Sequence, residues 1–196
     1  MLHFKKDFVE KGNYKFLSET RSGIIAVHFN KEKGCDYIYG GGVFDGCFSV
    51  DPDAPNMIDR VYAIASLHSA PKNILVIGLS SGSWVRALTY SNVFEKIDVV
   101  EINHGYLDLI KKYPEHSKIF TDPRVTIHID DGRRWLYRSK NKYDLILMNT
   151  TFHWRSYISN LVSSDFLKII KSHLNPGGVV YYNTTNSEDI IYTAAT

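Results

Sequence analysis

Apolar residues along this chain follow two rhythms. Between Gly23 and Val50 they come in short runs punctuated by glycine, at 23–29, 37–39 and 43–50, which read as strands of a small β annex. The first twenty residues are polar and mixed and carry no strand signal. Asp51-Pro52-Asp53-Ala54-Pro55 stops the annex, and Ile58, Val61, Tyr62, Ala65 and Leu67 then form a helical apolar stripe that runs up to Pro71.

From Lys72 onward, continuous apolar runs alternate with helical patterns. The runs fall at 74–77, 97–102, 125–129, 143–148 and 179–183, the spacing of a parallel sheet covered on both faces by crossover helices. The helix over 164–174 turns Phe166, Leu167, Ile169, Ile170 and Leu174 toward the core, and Asn175-Pro176-Gly177-Gly178 ends it. The expectation is a doubly wound, mainly parallel α/β sheet. Residues 1–54 form the N-terminal segment and small β annex, and residues 55–196 form the Rossmann-like α/β domain.

Composition narrows the picture. A chain of 196 residues that is 44% apolar and 22% charged can bury one full core. Its 23 basic and 21 acidic residues nearly cancel, so the total charge implies no nucleic-acid partner and no anionic lipid surface. Two cysteines, Cys35 and Cys47, form neither a CxxC pair nor a disulfide framework, which fits a reducing, cytoplasmic setting. No run approaches the ~18 apolar residues of a membrane span. The eight histidines are scattered singly, so no metal is expected.

The candidate chemistry sits at strand ends. The run 74–77 leads into Gly78-Leu79-Ser80-Ser81-Gly82-Ser83, where small residues let backbone approach a ligand and a helix start near Trp84 offers N–H groups. About twenty residues on, Glu101 closes the next strand, where a carboxylate accepts from both ribose hydroxyls. Asp130-Asp131-Gly132 closes the third. Carboxylates there can accept from an adenine amino group, with the glycine leaving room for the ring, and Asp131 can equally cap the helix that follows. Three such loops on adjacent parallel strands make a small-molecule nucleoside the economical ligand. G-x-S-S-G-S departs from the dinucleotide fingerprint, so a nicotinamide cofactor is not favoured.

At this point the chain resembles the spermidine synthase family of polyamine aminopropyltransferases, within the class I methyltransferase-type, Rossmann-like folds. The resemblance runs from about Thr20 to Asn183. It rests on Val43-Phe44-Asp45-Gly46, the entry 72–78 into the glycine loop, Val100-Glu101-Ile102, and Ile129-Asp130-Asp131-Gly132. It implies S-adenosylmethionine or decarboxylated S-adenosylmethionine as ligand, with S-adenosylhomocysteine or methylthioadenosine as product. Gly78, Ser80, Ser81, Gly82, Glu101, Asp130, Asp131 and Gly132 are the implied binding residues. Asn149, Thr150, Phe152, Trp154 and Arg155 fall on the acceptor side. The resemblance also implies two further strands after the fifth, which would leave 179–183 as an apolar edge calling for a homodimer or a further domain.

The departures fall on charge. Ser81 stands where the family carries an acid for the amine of the decarboxylated nucleoside. Asn149-Thr150-Thr151-Phe152 replaces a motif that supplies the base and an amine-binding acid, and Ser49 and Asn56 replace a glutamine and a tyrosine. Three readings follow. One is an alkyl transferase, moving a methyl or aminopropyl group to another acceptor, with putrescine transfer not expected. The second is a non-catalytic nucleoside-binding module. The third is a serine hydrolase, because Gly78-Leu79-Ser80-Ser81-Gly82 also satisfies G-x-S-x-G, with His153 or His173 as base.

Overall fold

A computed structural model describes residues 14–149 and 158–183. The chain divides into two compact units. Among the described residues, one gathers those up to Ile64 together with Ser80–Tyr90 and Asn103–Asp122; the other comprises Ala65–Leu79, Ser91–Ile102 and those from Pro123 onward.

The first unit is built on an antiparallel meander, β1 (Tyr14–Thr20), β2 (Gly23–Asn30), β3 (Cys35–Gly40) and β4 (Val43–Cys47), in that order. Gly41 and Gly42, at φ +60° and +90°, make the two-residue turn that a twisted hairpin requires. Ile25, Val27 and Ile38 share one face and are fully buried, as is Ala26 on the other. Three expectations change here. Strand β1 lies in the stretch read as unstructured, because adjacent Phe16 and Leu17 blur its period of two and Leu17 points to solvent. Strand β4 ends at Cys47, whose carbonyl accepts from the Asn56 side chain at 3.1 Å. The stripe after Pro55 is a short helix α1 (Asp59–Ala63) followed by a 3₁₀ turn (Ile64–Leu67). Ile58, Val61 and Ile64 are therefore buried at intervals of three, while Tyr62 and Leu67 are exposed. Helices α2 (Ser83–Thr89), α3 (Gly105–Ile110) and α4 (Pro114–Ser117) complete this unit.

The second unit is a five-stranded, wholly parallel sheet of β5 (Asn73–Ile77), β6 (Lys96–Glu101), β7 (Val125–Ile129), β8 (Tyr143–Met148) and β9 (Leu174–Tyr182), with spatial order β7-β6-β5-β8-β9. The chain winds outward from β5 to β7 and then returns to the other side of β5, so the winding direction reverses between β5 and β8. Helices α5 (Gly132–Arg138) and α6 (Ser164–Ser172) cover the core of Leu75, Ile77, Val100, Leu136, Tyr143, Ile146, Met148, Phe166 and Ile170.

The end of α6 also differs from expectation. The helix stops at Ser172, Leu167 is exposed, and Leu174 already belongs to β9. Asn175-Pro176-Gly177-Gly178 forms a bulge between the pairs Tyr143↔Leu174 and Leu145↔Val179. Pairing starts this early because the Tyr143 N–H donates to the His173 carbonyl at 2.9 Å. The Asp144 carboxylate then ties the region together, accepting from the backbone of Lys72 and Asn73 at 2.8 and 2.9 Å and from the Asn175 amide at 2.7 Å. Burial alone would raise its pKa, but these bonds hold it below the ordinary carboxylate value.

Candidate nucleoside site at the strand ends

In the parallel unit, the candidate residues gather at the carboxyl ends of β8, β5, β6 and β7. Gly78, at φ +97°, follows β5 directly; a Cβ there would lie 2.5 Å from the Asn149 carbonyl oxygen. Its N–H donates to the Val100 carbonyl at 2.9 Å, and the Asn149 N–H donates to the Ile77 carbonyl at 2.9 Å. The turn is therefore stitched to β6 on one side, and β8 to β5 on the other, immediately where the strands end.

Glu101 is 5% exposed, and its Oε2 accepts from the Leu79 N–H at 2.7 Å. A charge-assisted bond of this kind fixes the carboxylate's direction at the mouth of the sheet. The Glu101 carbonyl in turn accepts from the Asp130 N–H at 3.1 Å.

The two aspartates that follow β7 have different duties. Asp131 sits in extended backbone as the N-cap of α5, accepting from the Arg134 N–H at 2.9 Å. Asp130 accepts from the Asp131 N–H at 2.7 Å and forms an ion pair with the Arg134 guanidinium. Gly132 is the first residue of α5, and its missing side chain faces the sheet. A Cβ there would meet Ile77 Cγ2 at 2.9 Å, so this glycine serves close packing of α5 on β5.

Two residues that stand in those motifs but were not among the implied binding residues join this set. Ile102 and Ile129, at the ends of β6 and β7, are 42% and 44% exposed, and Ile129 lies opposite Glu101 in the register. Apolar side chains left in solvent beside ordered carboxylates suit the face of an aromatic base. The signal in the sequence was an isoleucine next to an acid at each of two successive strand ends.

The remaining glycine-loop residues belong to the other unit. Ser80 adopts φ +50°, and its hydroxyl donates to the Asp45 carbonyl. Among the described residues no histidine contacts it, and His173 Nδ1 instead meets the Asn141 carbonyl at 2.7 Å. The hydrolase reading thus finds no base for Ser80 there; His153 lies outside the described residues. Gly82, at φ +74°, leaves room for Ile110 and Ile119, whose methyls would lie 3.1 Å from a Cβ. Trp84 is buried, with its indole donating to the Asn56 carbonyl at 2.9 Å, so it packs and does not line an open surface.

Ser81 is buried in a chain of hydroxyls. It donates to Ser83 Oγ at 2.7 Å and accepts from the Ser83 N–H at 3.2 Å, so that N–H at the start of α2 is already engaged. Ser83 Oγ donates to the Cys47 carbonyl at 2.9 Å and meets His116 Nε2 at 3.0 Å. Since the single Ser83 proton goes to Cys47, the His116 contact uses the Nε2 proton, as a neutral imidazole allows. Burial pushes the His116 pKa down to about 4. Thr150, Phe152, Trp154 and Arg155 lie outside the described residues. Among the described residues, no cluster of three or more His, Cys, Asp or Glu is placed to hold a metal, and no helix is long and apolar enough to cross a membrane.

A parallel sheet that reverses its winding beside the central strand, with ordered acids at the ends of adjacent strands, defines a Rossmann-like α/β domain. A model of the spermine/spermidine synthase domain matches residues 59–195, and the chain belongs to that family. Polyamine aminopropyltransferase of Clostridium perfringens is 42% identical over 81 residues, covering 41% of this chain and 29% of that protein. That of Buchnera aphidicola is 36% identical over 125 residues, covering 63% and 43%. Spermine synthase of Arabidopsis thaliana is 36% identical over 114 residues, covering 57% and 32%. A spermidine synthase in complex with the transition state analogue AdoDATO shares the fold with TM-score 0.79 and 22% identity, over 92% of this chain and 61% of that one. Spermidine synthase from Thermotoga maritima gives a TM-score of 0.73 at 21% identity, with 92% and 60% coverage. The chain thus matches less than half the length of these curated relatives.

Proposed function

We propose that this chain binds an S-adenosyl nucleoside, decarboxylated S-adenosylmethionine or S-adenosylmethionine, at the carboxyl ends of β5, β6 and β7. The observation that carries the reading is Glu101, a buried carboxylate held in direction by the Leu79 N–H where a ribose diol would be met. Ile102 and Ile129 supply apolar surface for the adenine, and Asp131 accepts from its exocyclic amine. The structure of a relative holding AdoDATO favours the decarboxylated form.

The chemistry assigned to the domain is alkyl transfer. A nucleophile attacks the carbon next to the sulfonium, the S–C bond breaks, and the thioether nucleoside departs. Such a step asks for alignment first, and a strong base only when the nucleophile arrives protonated. Asn149 cannot take a proton from an ammonium, so the acceptor is one whose nucleophile is already free at neutral pH. A nucleoside-binding module without turnover is the second reading. It is favoured by Ser81, whose hydroxyl is committed to Ser83 in a place where the resemblance calls for an acid.

Calorimetric titration with both nucleosides and methylthioadenosine tests the assignment. Wild type binds, and Glu101→Ala loses on the order of 2 kcal/mol, about 30-fold, because two ribose bonds to a charged acceptor disappear. Undiminished affinity in that variant removes Glu101 from the site.

A further inference from the structure

The near-balance of total charge hides a local excess. Five of the chain's 23 basic residues, Arg133, Arg134, Arg138, Lys140 and Lys142, fall within ten positions that contain no acid. The fold sorts them by face. Along α5, Gly132 and Leu136 are buried and Trp135 packs on the core, so the helical repeat turns Arg133, Arg134, Tyr137 and Arg138 to the opposite side. Arg134 is engaged by Asp130. No described carboxylate lies within ion-pair distance of Arg133, Arg138 or Lys140. Lys142 donates to the Ser172 carbonyl at the end of α6. In the middle of the face stands Tyr137, 82% exposed, with no described hydrogen-bond or ring partner.

We propose that this face of α5, with the segment 139–142, is a docking surface for single-stranded RNA. Phosphates meet Arg133, Arg138, Lys140 and Lys142, and one base stacks on Tyr137. Guanidinium forks match phosphate oxygens, and an aromatic ring among cations is the combination that holds an unpaired strand without reading its sequence. The acid at its start, Asp130, is taken up by Arg134, which leaves the other cations of the face with no described carboxylate partner. Stable anchoring on an anionic membrane combines a basic patch with apolar side chains that insert, and the apolar side of α5 is spent on the core: Leu136 is 0% exposed. The surface uses no residue of the proposed nucleoside site, and the pairing of Arg134 with Asp130 is left intact.

The test is fluorescence anisotropy of the full chain with a labelled oligouridylate of about 20 nucleotides, with salt varied between about 50 and 200 mM. Four phosphate contacts, at about −0.7 each on a single strand, give a log–log salt slope of about −3. Arg133→Glu with Arg138→Glu and Lys140→Glu should lower affinity about tenfold or more and flatten that slope. The alanine versions serve if the reversed charges impair folding, which thermal unfolding reports. Tyr137→Ala should weaken the single strand about fivefold or more and leave a duplex of the same length unaffected. Absence of salt-dependent binding, or binding indifferent to the cation variants, overturns the proposal. Duplex binding as tight as single-strand binding and insensitive to Tyr137→Ala overturns the single-strand assignment. Binding to phosphatidylserine vesicles with none to the oligonucleotide assigns the surface to a membrane and rejects RNA.

Discussion

Acidification should destabilise the antiparallel unit through one residue. His116 is 5% exposed, and its ring is packed edge-on against Phe48 and Tyr113, with ring centroids 5.1 and 6.3 Å away. Its pKa falls from the ordinary 6.5 to about 4, chiefly because burial disfavours the cation; Glu115 raises it and Arg86 lowers it further. The unfolded chain therefore binds a proton between about pH 6.5 and 4 that the folded chain refuses. Stability is whole above the upper value, falls as pH drops through the window, and levels off below the lower one. At 1.36 kcal/mol per unit, the full penalty is on the order of 3 kcal/mol, a large share of a typical domain's stability. The assay is urea unfolding of wild type and His116→Gln at steps between pH 7 and 4.5. Glutamine keeps an N–H for Ser83 Oγ but cannot titrate, so the other histidines cancel in the difference. The wild type should lose more than 1 kcal/mol relative to the variant across this window. Parallel stability profiles would refute the assignment of a buried, neutral imidazole.

Three further outcomes are expected. Gly78→Ala should cost more than about 1 kcal/mol of stability, because the Cβ meets the Asn149 carbonyl at 2.5 Å and φ is +97°; chemical denaturation reads it directly. Asp131→Asn keeps an acceptor for the Arg134 N–H and so should leave the thermal midpoint nearly unchanged while weakening adenosine ligands more than inosine analogues; equal weakening of both would confine Asp131 to its cap. Putrescine with decarboxylated S-adenosylmethionine should release no methylthioadenosine, because an amine with pKa near ~10.4 arrives protonated and Asn149 cannot take the proton.

Hydrophobic rhythm alone located the five strands of the parallel sheet, though not the early start of β9, and the acids that close β6 and β7, because strands covered on both faces are largely apolar. Glu101 was legible for that reason. Strand β1 was not, since its inward positions are only half-buried and its pattern is correspondingly faint. The Asn-Pro-Gly-Gly run reads locally as a helix stop; only its ladder with β8 makes it a bulge within β9, because which carbonyl Tyr143 donates to is settled by the sheet. Gly132 reads locally only as a position without a side chain, and the fold brings Ile77, 55 positions earlier in the chain, to pack against it. The same holds for Ser81, Ser83 and His116. Nothing in their spacing announces one hydrogen-bonded chain, because a loop and a helix far apart in sequence meet only after folding. Sequence by itself determined which residues are apolar, charged and conformationally free. Tertiary structure decided what each polar group is left to do once its neighbours have claimed their share of its hydrogen bonds.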